Sequence, residues 1–464
     1  MVRKSSIFLV LTVFLAVMNG IARASLEMKL SPVLREGYDN NILLLNNNKD
    51  KKYYGIRSKG DFINSTGLLF GLDQSSFYLK SLLNYYIESQ NFSKNEQFNN
   101  VGHNAFLQLD IFPSNVLSFD VKNLFRLTED FDFTITGLES RESPAIERQK
   151  KYVDDFYVRA NYQITGKNIL YLDYKRYLDN VETIRELDEN INSFRIGLDS
   201  LYGRMNKNKL SLMFEVKNYN FKKNRQDGVY YYTFEGQDKG FETYSFIVAS
   251  LWDLSDKSNL RAYGGALRTE DDNQDSLIKE EGYFTGGLAY KKEFNYALIN
   301  LSYDHEISGS RGFGELVQRR GIRLNGTAFF NSYFSATLSS NFKKNNFRDN
   351  YYSDPKVSNS KNDNKTLSFL ADLSYDNKVK FKATLYYSFF KNDYLIPKEA
   401  GIADYKQSTI ALKTNYSILK YWVLKIEYNY TWRDTIDNDV GLPDLFFRRS
   451  LISIGIEYNK FDFR

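Results

Sequence analysis

Hydrophobic and polar residues alternate along most of this chain, in runs of about ten residues. In the clearest run, residues 421–433, apolar and polar positions form two separate series. The first series is Trp422, Leu424, Ile426, Tyr428, Tyr430 and Trp432, and the second is Val423, Lys425, Glu427, Asn429, Thr431 and Arg433. Successive side chains of a β-strand point to opposite faces, so the pattern predicts strands with one apolar and one polar face.

The length of these runs matches a membrane. At about 3.3 Å per residue, Trp422 and Trp432 are separated by roughly 33 Å along the strand. A strand tilt of about 45° projects this separation to roughly 23 Å, close to the ≈25 Å apolar band of outer-membrane barrels. No later apolar run approaches the roughly 20 residues of a spanning helix. The runs therefore favour transmembrane β-strands.

About twenty such segments follow one another, among them 26–36, 53–70, 76–92 and 447–461. Their connections alternate between long polar stretches and tight turns made of turn-forming residues. The tight turns are Pro113-Ser114, Thr165-Gly166-Lys167, Asp256-Lys257, Asn331-Ser332 and Asp376-Asn377. The predicted fold is all-β, an integral outer-membrane antiparallel β-barrel of about 18–20 strands with a polar lumen, formed by residues 25–464.

The first 24 residues have the features of a secretory signal peptide. Arg3 and Lys4 precede a short apolar run, and Ala22-Arg23-Ala24 provides a small-x-small cleavage site. These residues hold three cations and no acid, so their removal lowers the formal net charge from +5 to +2. A nearly neutral chain gives no reason to expect a nucleic-acid partner. We expect export to the cell outer membrane of a Gram-negative bacterium.

The polar faces contribute many cations to the predicted lumen. With the strand register read from the alternation, the pore-lining residues are Lys80, Lys122, Arg126, Arg195, Arg261, Arg323, Lys380, Lys382, Lys413, Lys425 and Glu427. One interpretation is an electropositive pore, with Tyr171, Tyr263 and Tyr386 as platforms for stacking sugars. The alternative is that these charges pair across neighbouring strands and only keep the lumen hydrated.

All three tryptophans fall at strand ends in the apolar series. Trp252 and Trp422 are expected at the periplasmic interface and Trp432 at the outer one, because an amphipathic ring prefers the membrane surface. We expect contacts with outer-membrane lipid and lipopolysaccharide, and assembly by the barrel-insertion machinery.

Two short motifs add a resemblance to a known family. Ser31-Pro32-Val33-Leu34-Arg35-Glu36-Gly37-Tyr38-Asp39-Asn40-Asn41-Ile42 resembles the start of a bacterial outer-membrane β-barrel family associated with exopolysaccharide biosynthesis and secretion. The segment 100–105, leading to Phe112-Pro113-Ser114, is also similar to that family. The resemblance covers mostly the first 130 residues. It implies a barrel that passes or assists polysaccharide, and it supplies no catalytic residue.

Three functions remain open from the sequence. The first is a conduit or accessory pore for exopolysaccharide export, with polysaccharide or other export components as possible partners. The second is a general or solute-selective porin for small anionic or sugar solutes, and the third is an outer-membrane hydrolase or adhesin. The chain has two histidines and no cysteine. As a catalytic base, His103 would need a serine and an orienting partner close by, and its neighbour Asn104 points to the opposite face of the strand. His305 belongs to the series Ile299, Leu301 and Tyr303 and is expected at the membrane interface. We therefore expect no enzyme activity, no cofactor and no metal site.

Overall fold

The computed structural model describes residues 25–41, 58–128, 151–181, 189–203, 207–221, 239–271, 281–309, 316–348, 363–394, 404–435 and 447–458. These residues form twenty β-strands and one 3-10 turn, Glu96–Phe98. The strands are β1 Ser25–Asp39, β2 Asp61–Ser75, β3 Leu79–Phe92, β4 Asn100–Ile111, β5 Leu117–Thr128, β6 Lys151–Gln163, β7 Asn168–Val181, β8 Glu189–Tyr202, β9 Asn208–Phe221, β10 Lys239–Ser255, β11 Ser258–Asp271, β12 Glu281–Glu293, β13 Ala297–Gly309, β14 Leu316–Phe329, β15 Phe334–Arg348, β16 Asn364–Asp376, β17 Phe381–Tyr394, β18 Tyr405–Ser417, β19 Trp422–Thr435 and β20 Phe447–Tyr458.

Each strand pairs in antiparallel fashion with the next, and the last strand pairs with the first. The closing pairs run from Val33 opposite Glu457 to Asp39 opposite Leu451. Over this stretch closure removes the open edges of the first and last strands, as a hydrocarbon environment requires. The prediction of an all-β antiparallel barrel is confirmed, with twenty strands, the upper end of the expected range. In the described residues no helix is long and apolar enough to span a membrane.

The connections alternate in length as the sequence predicts. At the end of the barrel where β1 begins, side chains close the tight turns by accepting backbone hydrogen bonds. The carboxamide of Asn331 accepts from the N–H groups of Tyr333 and Phe334, both at 2.8 Å. Thr165 Oγ1 accepts from the N–H groups of Lys167 and Asn168. The long connections lie at the other end, which the threading of outer-membrane barrels places outside the cell.

One ion pair joins two neighbouring short turns. Lys207 Nζ donates to Asp256 Oδ1 at 2.6 Å, with both side chains in solvent. The hydrogen bond and the charge of Lys207 lower the pKa of the Asp256 carboxyl. A lowered carboxyl pKa means that the contact is present above the ordinary pKa of Asp and is lost only as the pH falls through the lowered value.

Strand bounds differ from the sequence prediction mainly at the first hairpin. The second segment was expected at 53–70, whereas β2 is Asp61–Ser75, and β3 begins at Leu79 rather than at 76. Residues 76–78 form the turn, and its Phe77 and Tyr78 are largely exposed. Phe and Tyr are common in strands and also at membrane interfaces, so a turn that contains them is mistaken for part of a strand when only the sequence is used.

The two faces of the sheet have opposite chemistry. Exposed apolar side chains alternate along each strand and form the outer surface, as with Ile322 and Leu324 of β14 or Ile452, Ile454 and Ile456 of β20. Charged, hydroxyl and amide side chains occupy the inner face. One apolar cluster interrupts it: Tyr219, Phe241 and Leu267 pack with Ile307, next to Ile191 and Tyr283.

The residues Asp39, Asn40 and Asn41, which carry part of the family resemblance, fasten the seam between β1 and β20. Asp39 is fully buried and accepts a hydrogen bond from Arg449 Nε at 2.8 Å and another from its Nη2. Asn40 and Asn41 add hydrogen bonds to the backbone of Ser450 and Arg448. The motif therefore has a structural role in closing the barrel.

Candidate functional site

A row of alternating charges crosses the inner face from β5 to β9. Register places five side chains directly opposite one another: Asp120, Arg159, Asp173, Arg195 and Glu215. Directly opposed residues have Cβ atoms about 5 Å apart, so opposite charges in these positions attract. We call this row, together with the adjoining Asp199, Lys209 and Lys217, the charged wall.

Two arginines at the centre of the charged wall each bridge two strands. Arg195 lies 2.8 Å from Glu215 (Nη2 to Oε1) and 3.4 Å from Asp173 (Nη1 to Oδ2). Arg159 lies 3.5 Å from Asp173 (Nε to Oδ1) and 3.5 Å from Asp199 (Nη2 to Oδ2). The carboxylates are almost buried, whereas the guanidinium groups keep partial access to the lumen. The carboxylates of the charged wall are therefore fixed by their partners, and the two arginines remain partly accessible from the lumen.

Flanking side chains complete the coordination of the carboxylates. Lys209 Nζ lies 2.6 Å from Asp199, and Lys217 Nζ lies 3.0 Å from Glu215. The hydroxyl of Ser193 donates to Glu215 at 2.9 Å, and that of Ser211 donates to Asp199 at 2.7 Å. Hydrogen bonds of this kind fix the geometry of charged groups before any ligand arrives.

A cavity of about 360 Å³ opens against this wall. Its lining is Tyr157, Asp173, Lys175, Tyr177, Ile191, Ser193, Arg195, Glu215, Lys217 and Tyr219. Among the described residues, Arg195 Nε is buried without a hydrogen-bond partner. Buried polar atoms are normally hydrogen-bonded, so the cavity has hydrogen-bonding capacity to offer a ligand.

A second cavity, of about 730 Å³, lies at the short-turn rim between the first three hairpins. Aromatic, apolar and neutral polar side chains line it, including Phe77, Tyr78 and Phe112, and none of its lining residues is Lys, Arg, Asp or Glu. Within the described ranges, no group of three or more His, Asp or Glu side chains is arranged to hold a metal ion. The charged wall is therefore the better candidate for a ligand site.

Tyr171 is a structural part of the wall rather than a platform for sugars. Its ring lies against Gly197 of β8 and beneath the guanidinium of Arg159, 4.0 Å from the ring centroid. Only 3% of its surface is exposed, so the expectation of a stacking platform is wrong for this residue. The Tyr263 hydroxyl donates to Asp304 at 3.1 Å, and Lys413 Nζ lies 5.8 Å from the centre of the Tyr386 ring.

The register places the expected pore-lining residues on the inner face, except Lys380, which lies in the turn before β17. Four of them are paired with carboxylates: Arg195 as above, Lys382 with Asp376, Lys413 with Glu427, and Lys425 with Glu457. Those without an ion pair to a described residue are Lys80, Lys122, Arg126, Arg261 and Arg323. Pairing across strands therefore accounts for part of the set, and the pore-lining role itself stays a prediction.

The tryptophans lie near strand ends. Trp252 is four residues before the turn at 256–257, and Trp422 begins β19 directly after a short turn. Trp432 lies near the opposite end of β19. Their role as interface anchors stays a prediction, and the signal peptide lies outside the described residues.

Arg159, Asp173 and Glu215 were not expected at a site from the sequence. The pairing of Arg159 with Asp173 could have been found from the sequence, because the tight turn Thr165-Gly166-Lys167 fixes the register that places them opposite each other. The pairing of Asp173 with Arg195 crosses the longer β7–β8 connection, whose register the sequence does not fix.

No family model matches the chain, and no curated protein matches it. Solved structures with a similar fold are outer-membrane receptors. The FrpB iron transporter from Neisseria meningitidis has a TM-score of 0.52 at 9% identity, over 96% of this chain and 82% of that chain. The siderophore receptor PirA from Acinetobacter baumannii has a TM-score of 0.50 at 8% identity, over 94% and 81%. The ferric enterobactin receptor PfeA from Pseudomonas aeruginosa has a TM-score of 0.50 at 7% identity, over 93% and 81%.

These similarities establish the fold and the location: the protein is an outer-membrane β-barrel. They also correct the functional prediction. The three similar structures are an iron transporter and two siderophore receptors, which points to ligand transport and away from polysaccharide export. The predicted exopolysaccharide conduit is therefore wrong, and so is its porin alternative. The motif behind the polysaccharide reading closes the β-barrel seam instead.

Proposed function

We propose that this barrel takes up a small anionic metal chelate, of the ferric siderophore kind, across the outer membrane. The observation that carries the proposal is the cavity against the charged wall. Three cations (Lys175, Arg195 and Lys217) and three tyrosines line it, beside two carboxylates that other side chains already hold. A cavity within the usual range for small ligands, with convergent polar groups, is what specific binding requires.

The chemistry of the cavity suits an anion with flat rings or several oxygen donors. Lys175 and Lys217 are partly exposed on flexible stems, so they can turn from their carboxylate partners towards a ligand. The Arg195 guanidinium is held by Asp173 and Glu215 and keeps partial access to the lumen, so its positive charge faces the cavity. The similarity to iron transporters and siderophore receptors supports the same class of ligand.

Binding to the purified barrel tests the proposal. Titration with ferric enterobactin and with a ferric trihydroxamate should give saturable binding of at least one complex. Replacing Arg195→Gln and Lys217→Gln together should weaken that binding about tenfold or more, since hydrogen bonds to charged groups are lost. The iron-free ligands serve as controls for chelate specificity.

Lys413→Gln with Lys425→Gln is the matched control, because it removes two paired lumenal cations far from the cavity. The control variant should bind as the unmodified barrel does. Absence of binding for both ferric complexes, or an equal loss in the two double variants, would contradict the proposed site. In cells, deletion of the gene should lower uptake of the radiolabelled complex under iron limitation.

A further inference from the structure

Polar side chains interrupt the lipid-facing surface of the barrel on β5 to β8. We call this set the outward polar patch, which consists of Asn123, Asp154, Tyr174, Arg176 and Asn192. Side chains alternate across a strand, and the chain neighbours of the patch face the lumen, as Lys175, Tyr177 and Ser193 do. The patch is separate from the lumenal site, and its role does not depend on the proposed uptake function.

The charged members of the patch lie at the depth of hydrocarbon. Tyr162 is the last outward residue of β6 before the short turn, and half of its surface is exposed. Asp154 is eight residues from it, which at about 3.3 Å per residue and 45° tilt is roughly 19 Å towards the outside. Arg176 lies opposite Phe156, at roughly 14 Å by the same count. Both heights fall inside an apolar band about 25 Å tall.

Other strands place apolar side chains at the same distance from their short turns. Six residues from the first outward residue, β5 has Asn123 and β7 has Arg176, whereas β9 has Val216, β14 has Ile322 and β20 has Ile452. A charged side chain that faces lipid near the membrane centre is costly. The placement of Arg176 therefore indicates a polar partner that lipid chains do not supply.

One chain satisfies the patch only in part. Asn123 donates to Asp154 Oδ1 at 2.6 Å, and the Tyr174 hydroxyl donates to Asn192 at 3.0 Å. Arg176 forms no ion pair within 4.0 Å with any residue that the structure describes, Asp154 included. The patch thus carries one acid and one base that do not pair with each other inside the chain.

We infer that the outward polar patch is the interface of a symmetric dimer, whose partner is a second copy of this chain. A two-fold axis along the membrane normal keeps each residue at its own height, so Asp154 can meet only side chains of similar height in the other copy. Arg176 meets this condition. It lies on the next strand, opposite a residue two positions from Asp154, a difference of about 5 Å along the normal that an arginine side chain can span.

The symmetry makes this contact twice, since Asp154 of each copy faces Arg176 of the other. Charges removed from water are stable only when they are paired and hydrogen-bonded. The amide of Asn123 already supplies a hydrogen bond to the Asp154 carboxylate. The patch is therefore complementary to itself in charge, as an interface between identical subunits requires.

Aromatic and aliphatic side chains surround the charges. Phe156 and Tyr174 pack edge to face with their ring centroids 6.3 Å apart. Phe194 lies opposite Tyr174 and is 45% exposed, and Leu172 nearer the periplasm is 43% exposed. Aromatic residues and arginine are enriched in protein interfaces, so the composition of this surface suits contact with a protein.

Sedimentation equilibrium of the full barrel in non-denaturing detergent tests the inference. The unmodified barrel should be a dimer. Asp154→Arg or Arg176→Asp alone should raise the dissociation constant about tenfold or more, since each variant opposes like charges across the axis. Both substitutions in one chain should restore the dimer, because exchanging the two charges preserves both pairs. A mixture of the two single variants should form mixed dimers for the same reason.

Arg320→Asp is the matched control, because it reverses an outward cation seven strands away and should leave the dimer unchanged. A monomeric unmodified barrel would overturn the inference, since Arg176 would then reach the membrane surface by extending its own side chain. So would a double variant that dissociates as readily as either single variant, or an equal effect of the control.

If a reversed charge prevents folding, cysteine cross-linking in isolated outer membranes decides, because the chain has no cysteine of its own. Tyr174→Cys should cross-link to a second copy with a short bismaleimide. Leu412→Cys, at a similarly exposed outward position on β18, should not. Cross-linking of neither variant, or of both to the same extent, contradicts the interface.

Discussion

Arg159 is held in the lumen by packing as well as by charge. Tyr171 lies beneath its guanidinium, and the ring fits there because the residue opposite, Gly197, has no side chain. A Cβ at Gly197 would be 2.4 Å from the ring of Tyr171 and 2.8 Å from the carbonyl oxygen of Leu212. An aromatic ring over a glycine of the next strand is a known device in β-sheets.

Gly197→Ala should therefore destabilise the barrel by about 1–3 kcal/mol, the usual cost of overpacking. The ring of Tyr171 would have to leave its position and Arg159 would lose its support. The measurement is the urea midpoint of folding in lipid vesicles. Gly282→Ala is the control, because no atom lies within 4 Å of a Cβ built there. Equal midpoints for the two variants would show that the ring has room to move.

Single residues of the site were only partly predictable from the sequence. The alternation placed Arg195 on the polar face, which agrees with its register opposite Asp173 and Glu215. It gave no indication that Tyr171 is buried, since burial inside a barrel depends on which side chains extend over a residue from neighbouring strands. The alternation of residues shows which face of the strand a side chain is on, but its burial is set by neighbouring side chains in the folded barrel.

At the scale of strands, predictability follows the turns. Where a tight turn of polar residues joins two strands, as at Thr165-Gly166-Lys167, the register and the facing pairs follow from the sequence. At the first hairpin the turn includes Phe77 and Tyr78, and β2 was misplaced by several residues. Long connections fix no register, so the meeting of Lys344 with Lys365 required the structure.

The seam between β1 and β20 depends on one buried ion pair. Asp39→Asn would leave Arg449 without its carboxylate while keeping the shape of the side chain. Removing one partner of a buried pair costs about 3–5 kcal/mol, and we expect the lower end because Arg449 keeps slight solvent access. The readout is the temperature at which the folded gel band is lost, which should fall.

Glu27→Gln is the control for the seam variant. Glu27 pairs with Lys29 on the same strand at 3.2 Å, but both side chains are about half exposed. Exposed pairs contribute little, so this variant should melt as the unmodified barrel does. If Asp39→Asn also left the melting temperature unchanged, the seam would not depend on that contact.

For the whole molecule, the fold was predictable because one physical requirement acts on every strand. Hydrocarbon on one side and water on the other impose the same alternation from Leu117 to Tyr458. The function was not predictable in this way, since the short motif at Asp39–Asn41 serves closure, a need shared by barrels of any function. The proposed ligand site is the charged wall, whose facing residues come from five consecutive strands and depend on the register of each pair.

Closure itself can be tested by a cross-link, because the chain contains no cysteine. Leu34 and Ile456 lie directly opposite each other on the outward face of the seam, so their Cβ atoms are about 5 Å apart, close enough to bridge with slight adjustment.

Leu34→Cys with Ile456→Cys should therefore form a disulfide on mild oxidation and migrate as a cyclised chain. The control, Leu34→Cys with Ile452→Cys, uses the same faces with one partner shifted by four residues, about 13 Å along the strand, and should not cross-link. Cross-linking of both pairs or of neither would mean that β1 and β20 do not meet in this register.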